Sequence, residues 1–167
     1  MAVILVGGGA RSGKSTHALE LARQRGPRLV FLATAEPFDQ EMEARIARHR
    51  EHRGARFETI EEPLEIAAAI QKIDADAVVI DCLTLWLSNV MHSFGRDVDR
   101  EAEKLIAASR AAKTALIFVT NEVGCGIVPE STLGRDYRDH AGVLNQRVAA
   151  IADEVYWMVF GQPLRVK

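Results

Sequence analysis

Cysteine, aromatic residues and net charge are all scarce in this sequence, and each scarcity argues against a class of protein. The 167 residues include only two cysteines, Cys82 and Cys125, which are far apart and form no CxxC pair. Two such cysteines favour a reduced, cytoplasmic protein over a disulfide scaffold. Aromatic residues make up 6% and the formal net charge is −2. The composition therefore gives no reason to expect nucleic acid or an anionic membrane as a partner.

Long hydrophobic runs are also missing. No apolar run approaches the roughly 20 residues that cross a bilayer, so we expect no membrane span. The first residues, MAVILVGGG, have no basic lead, which makes them a poor secretory signal. Hydrophobic residues nevertheless make up 48% of the chain. Together with the length, this predicts one domain over residues 1–167 with a substantial core.

Short apolar runs alternate with helical patterns along the chain. The patterns predict strands at 2–8, 28–34, 76–84, 114–124 and 154–161, and helices at 14–26, 39–53, 63–73, 85–94, 99–112 and 136–153. Continuous apolar strands between helices predict an α/β fold whose mostly parallel sheet is covered on both faces. Ligands of such sheets bind beyond the carboxyl ends of the strands. That rule selects residues 7–15, Thr34, 81–84 and 120–124.

One glycine-rich stretch carries a specific chemical signal. The sequence GGARSGKS matches GxxxxGK[ST] and stands between a predicted strand and a predicted helix. Its backbone N–H groups can wrap a polyphosphate, and the helix N-terminus adds donors and partial positive charge. Lys14 supplies a full charge for the phosphates, and the Ser15 hydroxyl can ligate Mg²⁺. The predicted nucleotide-binding residues here are Gly8, Gly9, Ala10, Arg11, Ser12, Gly13, Lys14 and Ser15.

Besides the Ser15 hydroxyl, a P-loop needs an acidic residue for its metal. Asp81, which follows the apolar run 77–80, is the candidate. We predict Ser15 and Asp81 as the metal-site residues. An alternative is that Asp81 caps the next helix. These features predict a Mg–nucleotide site, but P-loops serve many reactions and this one does not name its own.

A charged helical stretch adds a histidine whose role is open from spacing alone. One face of the predicted helix 39–53 carries Met42, Ile46, His49 and Arg53. His49 can be a partly buried, hydrogen-bonded histidine. It can form a zinc pair with His52, although no third ligand is evident. It can also act as a nucleophile at phosphorus. In that case, nearby arginines would neutralise phosphate charge: Arg45, Arg50 and Arg53.

Several stretches together resemble one enzyme family. They are GGARSGKS, EMEARIARHR, TIEEP, VTNEVGCGIVPE and GRDYRDHAGVLNQRVAAIADEVYWMVFG. The sequence resembles the bifunctional adenosylcobinamide kinase/adenosylcobinamide-phosphate guanylyltransferases almost from end to end. The resemblance implies a RecA-like P-loop fold, a homotrimer, and phosphorylation of adenosylcobinamide by ATP or GTP. It also implies that GMP passes from GTP to the new phosphate through a histidine, here His49, with His52 as the alternative.

The resemblance also implies further nucleotide contacts. They are Ala33, Thr34, Ala35, Arg50, Glu51, His52, Arg53, Glu61 and Asp81. The Glu61 carboxylate can accept hydrogen bonds from the guanine N1–H and N2–H groups, which adenine lacks. Its alternative role is that of an acidic residue at the N-terminus of the next helix.

Three further residues end a predicted strand: Thr120, Asn121 and Glu122. They can position the γ-phosphate, the attacking water or the substrate hydroxyl, or they can cap a loop. Two other functions stay open. One is a P-loop small-molecule kinase without guanylyl transfer, and the other is a RecA-like ATPase or nucleotide-sensing module. A switch GTPase is disfavoured because the sequence has no NKxD stretch.

Overall fold

The computed structural model describes residues 2–36 and 55–167, in which seven strands and five helices are found. The strands are β1 (Val3–Gly8), β2 (Leu29–Ala33), β3 (Phe57–Glu61), β4 (Ala77–Asp81), β5 (Ala115–Val119), β6 (Glu154–Val159) and β7 (Gln162–Arg165). The helices are α1 (Lys14–Arg23), α2 (Ile66–Lys72), α3 (Leu83–His92), α4 (Val98–Ala111) and α5 (Thr132–Ile151).

All seven strands form one sheet, in the order β3-β2-β4-β5-β1-β6-β7. Every neighbouring pair is parallel except β6 and β7, which are antiparallel. The central strands are buried because their residues are apolar without interruption, as a sheet covered on both faces requires. The predicted α/β fold with a mostly parallel sheet is confirmed.

Alternate residues of one strand enter two separate cores. In β1, the side chains of Ile4 and Val6 pack with α1, whereas Leu5 packs with the core formed by the other helices. This follows from the period of two along a strand, which sends successive side chains to opposite faces. The larger core contains Trp86, which is 1% exposed and donates its indole N–H to the backbone oxygen of Leu64 at 2.9 Å. Both faces of the sheet are therefore covered.

Some boundaries differ from those predicted. β3 was not predicted because its sequence, FETIE, has only Phe57 buried and lies at a sheet edge. The predicted strand 76–84 ends at Asp81, and α3 begins two residues later. Helix α5 begins at Thr132 rather than 136, because the hydroxyl of Ser131 caps it by accepting a hydrogen bond from the Gly134 N–H.

Two further sequence predictions are the helix 39–53 and the absence of a membrane span. The predicted helix 39–53 lies among residues 37–54, outside the described part of the chain. Across residues 2–36 and 55–167, no helix combines the length and apolarity that a bilayer span requires.

Candidate nucleotide-binding site

Three strand ends meet at the carboxyl edge of the sheet. β5 lies between β4 and β1, and Val119 pairs with Asp81 on one side and with Val6 on the other. The chain after β1 forms the glycine-rich loop, and Asp81 ends β4. Parallel pairing therefore brings the predicted phosphate loop, the predicted metal carboxylate and the residues after β5 to one place.

The glycine-rich loop needs glycine at two positions. Gly8 has φ of 149°, and a Cβ there would lie 2.9 Å from the Ser12 hydroxyl oxygen and 3.0 Å from the backbone oxygen of Met158. Gly13 has φ of 92° and is the N-cap of α1. Both conformations are ones that other residues rarely adopt. The loop thus turns tightly into the helix, whose first N–H groups have no partner within the helix and can face an anion.

Lys14 lies over the loop to which it belongs. The residue is only 8% exposed, although its side chain carries a full charge. Its ammonium group donates to the backbone oxygen of Gly9 and lies 3.4 Å from the Ser12 hydroxyl. A buried ammonium needs such partners. The ammonium is thereby held against the turn that can wrap phosphate groups.

Ser15 and Asp81 come together as the sequence predicts. The Ser15 hydroxyl donates to Asp81 Oδ2 at 2.6 Å, the usual length for a hydroxyl bonded to a carboxylate. The alternative in which Asp81 caps α3 is wrong, because the N-cap is Cys82 and no side chain makes the capping bond. A hydroxyl and a carboxylate are hard oxygen donors, which suit Mg²⁺. This pair therefore fits the predicted metal, with further ligands from nucleotide phosphates.

The residues after β2 hold neighbouring strand ends together. Thr34 is fully buried, and its hydroxyl donates to the backbone oxygen of Cys82 and accepts from the Cys82 N–H, both at 2.8 Å. The side-chain amide of Asn89 donates to the backbone oxygen of Thr34 at 2.8 Å. The hydroxyl thus clamps the end of β2 to the end of β4. Nucleotide contact by Ala33, Thr34 and Ala35 stays a prediction.

Glu61 lies further along the same edge. It ends β3 and pairs with Ala33, which in turn pairs with Asp81 on β4. The acidic residue that serves the turn before α2 is a different one. Glu62 Oε1 accepts from the N–H groups of Leu64 and Glu65, at 3.0 and 2.8 Å. Glu62 therefore supports this turn, and both guanine recognition by Glu61 and its alternative role stay predictions.

Five predicted residues lie outside the described part of the chain: His49, Arg50, Glu51, His52 and Arg53. The structure therefore neither brings them to the site nor separates them from it. Within residues 2–36 and 55–167, no three His, Cys, Asp or Glu side chains group as a metal site of their own.

Thr120 and Asn121 were predicted to lie at a strand end near the site, but sequence reasoning missed the side chains on α5 that support them. We call Thr84, Thr120, Asn121, Tyr137 and Asn145 the β5-exit cluster. Thr120 Oγ1 donates to Asn145 Oδ1 at 2.7 Å, and Asn121 Nδ2 donates to Thr84 Oγ1 at 2.9 Å. The Tyr137 hydroxyl donates to the backbone oxygen of Thr84 at 3.0 Å. The available signal was the spacing of 137, 141 and 145, which places two polar side chains and a buried alanine on one face of α5.

Burial keeps the Tyr137 hydroxyl and the Cys82 thiol protonated. Desolvation raises the pKa of Tyr137 to about 12, with a smaller effect of Cys82. Desolvation, with a smaller effect of the Asp81 carboxylate, raises the pKa of the Cys82 thiol to about 11. Both groups are therefore neutral near pH 7 and act as hydrogen-bonding groups, and Cys82 is not a thiolate nucleophile.

Solved structures with a similar fold include the flagellar accessory protein FlaH from Methanocaldococcus jannaschii and the RadB recombinase. FlaH has a TM-score of 0.54 at 13% identity, with 99% of this chain and 78% of that chain covered. RadB has a TM-score of 0.52 at 17% identity, with 93% and 73% covered. At these identities the similarity shows the fold alone, a RecA-like P-loop domain.

Sequence comparison is more specific. The bifunctional adenosylcobalamin biosynthesis protein CobU of Salmonella typhimurium is 39% identical over 181 residues, covering 99% of each chain. The corresponding protein CobP of Pseudomonas aeruginosa is 41% identical, covering 98% of this chain and 96% of its own. A sequence model of the family described as cobinamide kinase / cobinamide phosphate guanyltransferase matches residues 4–166. With its P-loop site and this end-to-end similarity, the chain belongs to the cobinamide kinase / cobinamide phosphate guanyltransferase family.

Proposed function

We propose that this protein phosphorylates the aminopropanol hydroxyl of adenosylcobinamide with ATP or GTP. It then transfers GMP from GTP to the new phosphate, which gives adenosylcobinamide-GDP and pyrophosphate. The observation that carries the proposal is the bonded Ser15–Asp81 pair beside Lys14, in a chain that matches the family over residues 4–166. The names of the CobU and CobP relatives, both bifunctional, support the two half-reactions.

In the kinase step, the protein mainly positions the reactants and stabilises charge. Lys14 and the loop N–H groups bind the β- and γ-phosphates while the substrate hydroxyl attacks the γ-phosphorus. Ser15 and Asp81 would hold Mg²⁺, which when bound with the nucleotide neutralises phosphate charge. Two carboxylates at this edge, Asp81 and Glu122, are the candidates for accepting the proton of the hydroxyl.

In the guanylyl-transfer step, His49 is the proposed nucleophile. An imidazole nitrogen forms a bond to the α-phosphorus of GTP, the bond to the bridging oxygen breaks, and pyrophosphate leaves. The phosphate of the first product then attacks the same phosphorus, and the histidine is released. Arg50 and Arg53 would stabilise the phosphate charge that develops. Glu61 would read the guanine base.

Labelling with GTP tests the histidine step. GTP labelled at the α-phosphate should mark the wild-type protein through a bond that acid breaks and base does not. His49→Ala should remain unlabelled, and the control variant His92→Ala, at an exposed histidine outside the predicted site, should be labelled normally. Labelling of His49→Ala at the wild-type level would move the nucleophile to His52 or elsewhere.

Product analysis tests the whole proposal. The protein is incubated with GTP, Mg²⁺ and adenosylcobinamide, and the products are identified by mass. The phosphate and GDP adducts are both expected. The phosphate alone would support a kinase without guanylyl transfer, and neither adduct would overturn the proposal.

We also propose that the protein is a cytoplasmic homotrimer whose sites lie near subunit contacts. Several large apolar side chains are fully or almost fully exposed, which supports contact with further copies: Phe94, Ile127 and Phe160. Light scattering after gel filtration should give three times the chain mass of 18.4 kDa. A monomer at working concentration would contradict the trimer.

A further inference from the structure

The β5-exit cluster supports the end of β5, which lies between the P-loop after β1 and Asp81 at the end of β4. A Cβ added to Gly7, at the start of the P-loop, would lie 3.6 Å from the Thr120 methyl group. The Glu122 N–H donates to the backbone oxygen of Gly8 at 3.1 Å. On the other side, Val119 pairs with Asp81. The residues after β5 therefore run beside the P-loop, one residue beyond the level of Asp81.

Asn145 supports this strand end from behind. It accepts the hydrogen bond of Thr120, which is only 3% exposed, and its Nδ2 lies 3.5 Å from the backbone oxygen of Asn121. Its own helix is firmly anchored, because Leu144 and Val148 are buried in the larger core. An amide on a packed helix of 20 residues is a more rigid support than one on a loop.

Asn121 is the residue of the cluster best placed to meet a reactant. It is partly exposed, and one N–H of its amide is used by Thr84. Across residues 2–36 and 55–167, no donor reaches its side-chain oxygen. The amide thus keeps an acceptor and a second N–H for a γ-phosphate or a substrate hydroxyl.

We propose that Asn145 is a positioning residue of the phosphoryl-transfer step, acting through Thr120 and the backbone of Asn121 to hold in place the strand end that carries the Asn121 amide and runs beside the P-loop. This inference rests on the kinase activity proposed above. We expect its effect on transfer of the γ-phosphate, because Thr120 lies against Gly7, and the residues on either side of the cluster, Glu122 and Val119, pair with Gly8 and Asp81. The proposed guanylyl nucleophile, His49, belongs instead to the segment that follows β2.

Two near-isosteric variants remove the support from either side: Asn145→Leu and Thr120→Val. A small misplacement of a reacting group is costly, so we expect the kinase kcat to fall about tenfold or more in each variant. The KM for GTP should stay within about twofold of wild type, since the P-loop itself is intact. The amount of protein labelled by α-labelled GTP at saturation should be unchanged. The exposed neighbour variant Gln146→Ala should match wild type in every measurement.

The double variant distinguishes a shared role from two separate ones. Because Thr120 and Asn145 act through one hydrogen bond, combining the changes should slow the kinase by no more than about twofold beyond the worse single variant. If Asn145→Leu does not fold, Thr120→Val decides by the same measurements.

If the wild type is an active kinase, three results would overturn the inference. They are a kinase kcat within about twofold of wild type in both variants, a parallel loss of kinase activity and labelling, and fully additive effects in the double variant. Parallel loss would mean that Asn145 only stabilises the fold. A wild-type protein without kinase activity would overturn the proposed function and this inference with it. An active wild type with active variants would overturn this inference alone.

Discussion

At the carboxyl edge of the sheet, buried or partly buried side chains and their hydrogen bonds join the β4–β5–β1 side, whereas the end of β3 is exposed to solvent. Ser15 bonds to Asp81 and Thr120 bonds to Asn145 on the first side. On the second side, Glu61 at the end of the edge strand is exposed. β3 and β1 are four strand spacings apart, or about 19 Å. The proposed phosphate chemistry and the proposed base recognition thus occupy separate, differently built parts of one edge.

This difference suggests a division of labour. Groups that stabilise charge on transferring phosphates work best when they are held in place before the substrate arrives. To select a base, the protein needs only a side chain that forms hydrogen bonds with the edge of the correct base and is left unpaired by the wrong base. Changes on the first side should therefore lower the rate with any nucleotide, and changes on the second should alter the choice between nucleotides.

The largest expected effect follows from Lys14→Ala. Loss of the buried ammonium should lower both half-reactions by roughly a hundredfold to a thousandfold, the range seen when one charge-stabilising donor is removed. The control is Lys113→Ala, at an exposed lysine just before the N-terminal end of β5, and this variant should keep normal rates. Steady-state rates of both products, with folding checked by circular dichroism, measure this. Normal turnover by Lys14→Ala would refute a shared phosphate site.

Asp81→Asn is expected to have the next largest effect. The amide can still accept from Ser15 but lacks the charge that attracts Mg²⁺, so kcat should fall about tenfold to a hundredfold. The Mg²⁺ concentration for half-maximal rate should rise. Asp74→Asn, a change at a carboxylate on the surface, serves as the control. An unchanged Mg²⁺ titration curve for Asp81→Asn would remove this residue from the metal site.

A smaller and selective effect is expected for Glu61→Gln. The amide cannot accept from both guanine donors, so the preference for GTP over ATP should fall by about tenfold, one lost charged hydrogen bond. The kinase kcat with saturating GTP should change little. Glu58→Gln, on the same strand but the opposite face, should keep the wild-type preference. Loss of kcat without loss of preference would place Glu61 on the phosphate side and break the comparison.

The geometry of the β4–β5–β1 side could be predicted from the sequence better than that of the β3 side, for a physical reason. The P-loop is a local pattern in which glycine, Lys14 and Ser15 are close in the chain, and Asp81 follows a buried strand whose apolar run is plain. β3 was missed because an exposed edge strand has no apolar pattern by which it could be predicted. The β5-exit cluster joins Thr84, Thr120 and Asn145, which are distant in the chain, so only the folded sheet and α5 bring them together.

The smallest expected effect is on stability and involves His17, on the phosphate side but away from its chemistry. Its ring packs edge-on against Tyr156, with centroids 4.9 Å apart. In the described part of the chain, its buried Nε2 atom has no hydrogen-bond partner. Burial lowers the pKa of His17 below 6.5, although the Glu20 carboxylate opposes this.

Because the folded pKa of His17 is depressed, the unfolded chain binds a proton more readily. The stabilisation is therefore complete above pH 6.5 and is lost as the pH falls through the folded pKa. His17→Gln cannot titrate, so its melting temperature should fall less between pH 7.5 and pH 5 than that of wild type, by about 2 °C. The exposed His92→Gln should follow the wild-type curve. Turnover near neutral pH should be equal in all three proteins. Parallel melting curves for wild type and His17→Gln would show that the buried imidazole does not couple folding to pH.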